Sequence, residues 1–285
     1  MKFKVLIIGS KGMAGHLILQ YLKTHSNLLV DDVSRSDDSF TSTYNLDVTN
    51  FDVLKSVLKK GGYTVVINCI GVLNHFAESR PDQAVLLNSY FPHFLSNLGS
   101  EMGFKLIHIS TDCVFSGTKG GYIETDPKDG KGFYAQSKAL GEVNNSKDLT
   151  IRTSIIGPEL KNGIGLFHWF MSQNTEIQGY KRVFWSGVTT IELAKFISAI
   201  LDSDLTGLIH LTNGERISKF DLLGKLNKKF KQGEVLINPE QNIHIDKSLV
   251  NTRGDLHYQV PEYELMIDEM KDWVCKHRHL YKRYL

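Results

Sequence analysis

Short apolar runs recur along the first half of the chain, at Lys4–Ile8, Leu28–Val33, Val65–Asn68, Lys105–Ile109 and Thr150–Ser154. They are dominated by Val, Ile and Leu, as expected of strands buried on both faces. Between them, apolar positions fall three and four residues apart and predict helices around Met13–Lys23, Phe51–Lys59, Pro81–Gly99 and Phe133–Asn144. Pro81 stands where a first helical turn tolerates a missing N–H. The alternation predicts an α/β fold: a Rossmann-type, doubly wound parallel sheet with helices on both sides.

After Gly157 the pattern becomes irregular. Gly163, Gly165, Gly179 and Gly187 punctuate a stretch dense in large aromatics, Phe167, Trp169, Phe170, Tyr180, Phe184 and Trp185. A late strand at Gly207–Leu211 and helices near Lys219–Phe230 and Glu262–Lys276 complete it. The expected division is a predominantly dinucleotide-binding region over 1–157 and a smaller C-terminal α/β substrate-binding subdomain over 158–285, with crossovers between the two.

Composition narrows the function classes. At 285 residues, 41% hydrophobic and 22% charged, the chain has the balance of a soluble enzyme. A net charge of +2 gives no reason to invoke nucleic acid or an anionic membrane. The basic run Lys276–Arg283 reads as charge favourable to the end of a helix. Val5–Ile8 is far shorter than the ~7–15 apolar residues of a signal peptide or the about 20 of a membrane span, so a cytoplasmic location is expected. Three isolated cysteines, Cys69, Cys113 and Cys275, fit a reducing compartment. The eleven histidines show no H-E-x-x-H, and no catalytic metal is expected.

Gly9-Ser-Lys11-Gly12-Met13-Ala-Gly15 joins the first strand to the first helix. Glycines there permit a tight turn, close approach to a pyrophosphate and contact between helix and strand. The helix N-terminus then offers free N–H groups to the phosphate. The second strand runs into Ser34-Arg35-Ser36, where a guanidinium flanked by hydroxyls suits a ribose 2′-phosphate and favours NADP(H). A register slip of two residues would instead put Asp32 on a free ribose hydroxyl. Asp47-Val48 fits either an adenine contact or a capping turn.

Tyr134-Ala-Gln-Ser-Lys138 supplies a proton donor and a cation. On a helix, positions i and i+4 share a face, so the Lys138 ammonium would lower a phenol pKa that is ordinarily about 10. Upstream, Ser110-Thr111-Asp112-Cys113 closes an apolar strand. In the aromatic stretch, Trp169 and Trp185 are candidates to stack on a base or cover a sugar, and Arg182 to neutralise a diphosphate. Core packing of the tryptophans is the competing reading.

With its glycine loop, Asn68-Cys69-Ile-Gly71, Ile109-Ser-Thr111-Asp-Cys-Val-Phe-Ser-Gly117 and Tyr134-x-x-Ser-Lys138-x-x-Gly-Glu142, the chain resembles the extended short-chain dehydrogenase/reductase family, most closely its dTDP-4-dehydrorhamnose reductase branch. The resemblance covers most of the chain. It implies that Tyr134 protonates a substrate carbonyl oxygen as hydride arrives from a nicotinamide. Lys138 would hold the nicotinamide ribose and lower the tyrosine pKa. Thr111, or less favourably Ser110, would hydrogen-bond the carbonyl oxygen. Asn68, Cys69 and Gly71 would line the cofactor, while Asp112 and Cys113 would border the substrate.

The implied function is NADPH-dependent reduction of a keto nucleotide sugar, a 4-keto-6-deoxy hexose on dTDP or UDP, in deoxysugar or surface polysaccharide synthesis. An epimerase or dehydratase of the same family is the near alternative. A dehydratase there carries Asp-Glu beside the threonine, whereas this chain has Asp112-Cys113. A non-catalytic NADP-binding regulatory subunit is the more distant alternative, and a homodimer stays open. Cys113 stands where the family often has tyrosine, which leaves the identity of the sugar open.

Overall fold

The computed structural model describes residues 3–36, 40–161 and 163–285. Seven strands form its main sheet: β1 (Lys4–Ile8), β2 (Leu29–Ser34), β3 (Tyr44–Asn45), β4 (Val65–Asn68), β5 (Lys105–Thr111), β6 (Leu149–Thr153) and β7 (Gly207–His210). They lie in the order β7-β6-β5-β4-β1-β2-β3 with every pairing parallel. This is the doubly wound sheet that the sequence predicts. The strand order reverses between β1 and β4, and such a switch point opens a crevice beyond the strands' carboxyl ends.

Alternation along each strand sends its side chains into two separate cores. Val5, Ile7, Val65, Ile67, Ile107 and Ile151 pack on one face, with Leu17 and Ile18 of α1 (Met13–His25) and much of the C-terminal half. Leu6, Ile8, Val66 and Leu106 pack on the other, with Leu54 and Leu58 of α2 (Phe51–Gly61) and Phe91, Leu95 and Leu98 of the helix Phe91–Met102. Burial on both faces explains why these strands read as continuous apolar runs.

The single helix predicted over Pro81–Gly99 is instead α-helical at Pro81–Ala84, a π-helix at Val85–Tyr90 and α-helical again from Phe91. The π turn re-aims Asn88, whose side chain binds the Val72 backbone N–H and carbonyl and the Ser137 hydroxyl. The helix carrying Tyr134 and Lys138, Gly132–Leu140, is shorter than expected and ends at Gly141, where a Cβ would come 1.7 Å from the Asn88 carbonyl oxygen.

The C-terminal half contributes three small sheets and returns to the main one. Glu176–Tyr180 pairs with Leu236–Glu240, Ile155–Ile156 with Val188–Thr189, and Val183–Trp185 lies between Ile217–Ser218 and Ile245–Asp246. The helix Thr190–Ile200 packs on α1, and β7 extends the main sheet beside β6. That helix has no counterpart in the sequence reading because eight of its residues are buried and its apolar stripe is indistinct. Its start was nonetheless marked: the Thr189 hydroxyl accepts from the Glu192 N–H, as a capping residue does.

Candidate active site

The glycine loop behaves as its spacing predicts. Gly9 has φ +86°, a left-handed conformation, and an added Cβ would sit 2.9 Å from Ile70. At Gly15 a Cβ would meet the Gly9 carbonyl oxygen at 2.2 Å, so only glycine lets α1 pack this closely on the turn. Beyond the loop opens a cavity of about 850 Å³. Gly9, Lys11, Gly12, Ser34, Arg35, Ser36, Asp47, Val48, Cys69 and Gly71 line it, ten of the residues expected at the cofactor.

Ser36 gathers positive charge at one end of this cavity. The Lys11 ammonium donates to its carbonyl, Lys161 donates to its hydroxyl at 3.3 Å, and Arg35 lies alongside. The donor set fits a phosphate on a ribose. Asp32 is committed elsewhere: its buried carboxylate accepts from Ser10 at 2.6 Å and from the Thr43 backbone and hydroxyl at 3.1 Å. Asp47 takes the capping-turn geometry, with Oδ1 accepting the Thr49 N–H at 2.9 Å, and still borders the cavity.

Asn68 does not line this cavity. It is fully buried, with Oδ1 accepting the Ile70 N–H at 3.1 Å, so it shapes the Cys69-Ile70-Gly71 loop from beneath. The reason is alternation along β4: Asn68 shares its sheet face with Val66, which packs in a core. Met13, Gly15, Tyr134 and Lys138, also expected at the cofactor, do not line the cavity either.

At the carboxyl end of β5, Thr111 accepts the Cys113 N–H at 3.1 Å and donates to Asp112 at 3.2 Å, and its hydroxyl acts on the Tyr134 phenol to lower its pKa against the larger effect of burial. Ser110 is spent on structure. Its hydroxyl donates to Glu142 at 2.7 Å, and Glu142 takes a bidentate pair from the buried Arg152 at 2.8 and 2.7 Å. Burial alone would raise Glu142, but Arg152, Ser110 and Lys128 together hold the carboxylate below its ordinary value.

The electrostatics of the pair differ from expectation. Burial, with further contributions from Cys113 and Asp112, pushes the Tyr134 phenol above its ordinary pKa rather than below it. Lys138 shares its helix but turns to the sheet, donating to the Ile109 carbonyl at 2.7 Å, and burial pushes its own pKa down to about 8. Sequence spacing set the common face; the direction of the amine was decided by the carbonyl beneath it.

Trp185 is 3% exposed and packs on Tyr263, so it belongs to the core rather than to a sugar or base. Trp169 is 40% exposed on the helix Leu166–Met171, and Arg182 is exposed on the turn before Val183; neither lines the large cavity. Two cations missed in the sequence act on the site instead. Burial raises the buried Asp112, while Lys247 and Lys219 oppose it. Lys219 also acts on Cys113 and lies 5.5 Å from the Trp185 ring. Both lysines stand more than a hundred residues from Asp112, and no local motif marks them.

The switch-point crevice, the glycine turn and the Thr111–Tyr134 contact at the end of β5 together define a dinucleotide-binding α/β protein of the extended short-chain dehydrogenase/reductase type. Within that class the chain belongs to the RmlD substrate binding domain family, whose model matches residues 3–248. It is 26% identical over 231 residues to a dTDP-4-dehydrorhamnose reductase of Mycobacterium tuberculosis, covering 76% of this chain and 72% of that one. A dTDP-4-dehydrorhamnose reductase structure from Clostridium acetobutylicum superposes with a TM-score of 0.80 at 23% identity, covering 96% and 100% of the two chains. One from Bacillus anthracis, solved in complex with NADP, gives 0.79 at 22% identity over 95% and 99%. The oxidoreductase class and cofactor type inferred from the motifs agree with the family. Among the described residues no helix is long and apolar enough to cross a membrane, and no group of three His, Cys, Asp or Glu could hold a metal ion.

Proposed function

We propose that this protein is an NADPH-dependent reductase of a keto nucleotide sugar, acting on a 4-keto-6-deoxy hexose linked to dTDP or UDP. The observation that carries the reading is the interaction of Thr111 with Tyr134 at the end of β5, in a fold whose large cavity is lined by Lys11, Arg35 and Lys161. NADPH, when bound, supplies the hydride. Thr111 Oγ1 and Tyr134 Oη would receive the carbonyl oxygen between them, and Tyr134 would give its proton to that oxygen as negative charge develops. A phenol with a raised pKa remains protonated at neutral pH, as an acid in the reducing direction must. Lys138 would hold the cofactor ribose.

In this reading residues 1–157 mainly bind dinucleotide and 158–285 mainly bind substrate, with Lys219 and Lys247 placed to meet the substrate's negative charge. The diphosphate and base then provide binding energy remote from the reacting carbon, which orients the carbonyl. NADPH oxidation should accordingly be fast with a 4-keto-6-deoxy nucleotide sugar and far slower with the free keto sugar. Comparable rates at equal concentration would refute the nucleotide-sugar assignment.

A further inference from the structure

Lys138 meets, on its sheet side, a residue that none of the motif roles uses. His108 lies on β5 opposite Asn68 of β4, and its ring is fully buried. Asn68 fixes its protonation. Because Oδ1 of Asn68 accepts the Ile70 N–H, its Nδ2 is the atom facing His108 Nδ1, at 3.2 Å. An amide nitrogen can only donate, so Nδ1 is the acceptor and the one proton of the neutral ring sits on Nε2. Nε2 lies 3.4 Å from Lys138 Nζ. An N–H aimed at an ammonium is repelled; aimed at a neutral amine it can form a hydrogen bond.

We propose that His108 is a positioning residue for Lys138: held by Asn68 as the Nε2–H tautomer, it disfavours the ammonium form and keeps the amine turned to the Ile109 carbonyl. The surroundings agree. Burial, then the Lys138 charge and that of His93, push the His108 pKa well below its ordinary value, so the ring stays neutral. Burial also lowers Lys138, while Glu142 and Cys69 pull the other way. Thr150, opposite His108 on β6, adds no charge. Lys138 is therefore a cation that loses its proton near pH 8, well below an ordinary lysine. The consequence for turnover rests on the reductase reading; the protonation itself does not.

The test uses the protein without added dinucleotide, labelled with ¹⁵N-histidine and ¹³Cε-lysine, and follows both by NMR against pH. His108 should show a protonated Nε2 and a bare Nδ1 across neutral pH. One lysine, identified by its loss in Lys138→Met, should titrate near pH 8. His108→Gln offers an amide oxygen that can accept from an ammonium, so it should raise that midpoint by about one unit or more. A proton on His108 Nδ1, a wild-type Lys138 midpoint near that of a free lysine, or an unmoved midpoint in folded His108→Gln would overturn the proposal. Should the variant fail to fold, the wild-type tautomer and midpoint still decide it.

Discussion

The Tyr281 hydroxyl donates to Nε2 of His16 at 2.8 Å, tying a distant part of the chain to the dinucleotide loop. The roles follow from the other ring nitrogen: Nδ1 lies 2.8 Å from the Gly12 carbonyl, which can only accept. Trp273 Nε1 completes the chain by donating to Tyr281 at 3.3 Å. Tyr281→Phe would leave a buried acceptor without its partner, at a cost of about 1–3 kcal/mol. Urea unfolding of the two proteins measures this, and an unchanged midpoint would show that the contact contributes nothing.

His16 also predicts an acid sensitivity. Burial pushes its pKa down to about 4, whereas an unfolded histidine titrates near 6.5. Between these values the unfolded state binds more protons, so the His16 contribution is full above about pH 6.5 and is lost as pH falls toward about 4. Its size is on the order of 3 kcal/mol. In an unfolding series over this range, His16→Gln should flatten the slope relative to wild type; parallel curves would contradict the assignment.

Gly15→Ala should weaken both NADPH and NADH by about tenfold or more, ~1.4 kcal/mol, because its Cβ would strike the Gly9 backbone and push α1 off the turn. Fluorescence titration of each dinucleotide checks it. Unaltered affinity would mean that the helix shifts without cost.

Arg35→Ala should discriminate where Gly15→Ala does not. Losing a charge-assisted contact of about 1.5–3 kcal/mol should weaken NADPH roughly ten- to a hundredfold while sparing NADH. The same titrations apply, and equal losses would remove Arg35 from the 2′-phosphate.

Tyr134→Phe should lower turnover by about 10²–10⁴ with little change in NADPH affinity, since in the proposed reaction its hydroxyl would serve the reacting oxygen. Lys138→Ala should impair both. Steady-state rates with a nucleotide-linked keto sugar, set beside cofactor binding, separate the two effects. Near-normal turnover in Tyr134→Phe would end the catalytic assignment.

The longer strands and helices through β6, the glycine turn and the Tyr134–Lys138 spacing were legible in the sequence because each rests on local signals: apolar runs, helical periodicity and residues that only a particular turn accepts; β3 and the helix Asn74–Ser79 were too short to show a period. The sequence also placed Ser34-Arg35-Ser36 at the end of β2, and these residues do line the large cavity while the Asp32 carboxylate is bonded elsewhere. Other features depended on what packs from afar. Asn68 is buried against His108 and the Ile70 N–H, and Trp185 went to the core because Tyr263 covers it. Lys138 swung toward the Ile109 carbonyl, and burial reversed the expected direction for Tyr134. Lys219 and Lys247 reached Asp112 only through the return of the C-terminal chain. Sequence periodicity sets which face a residue occupies, but its solvation and its partners are properties of the assembled neighbours, and these decided protonation and the substrate side of the site.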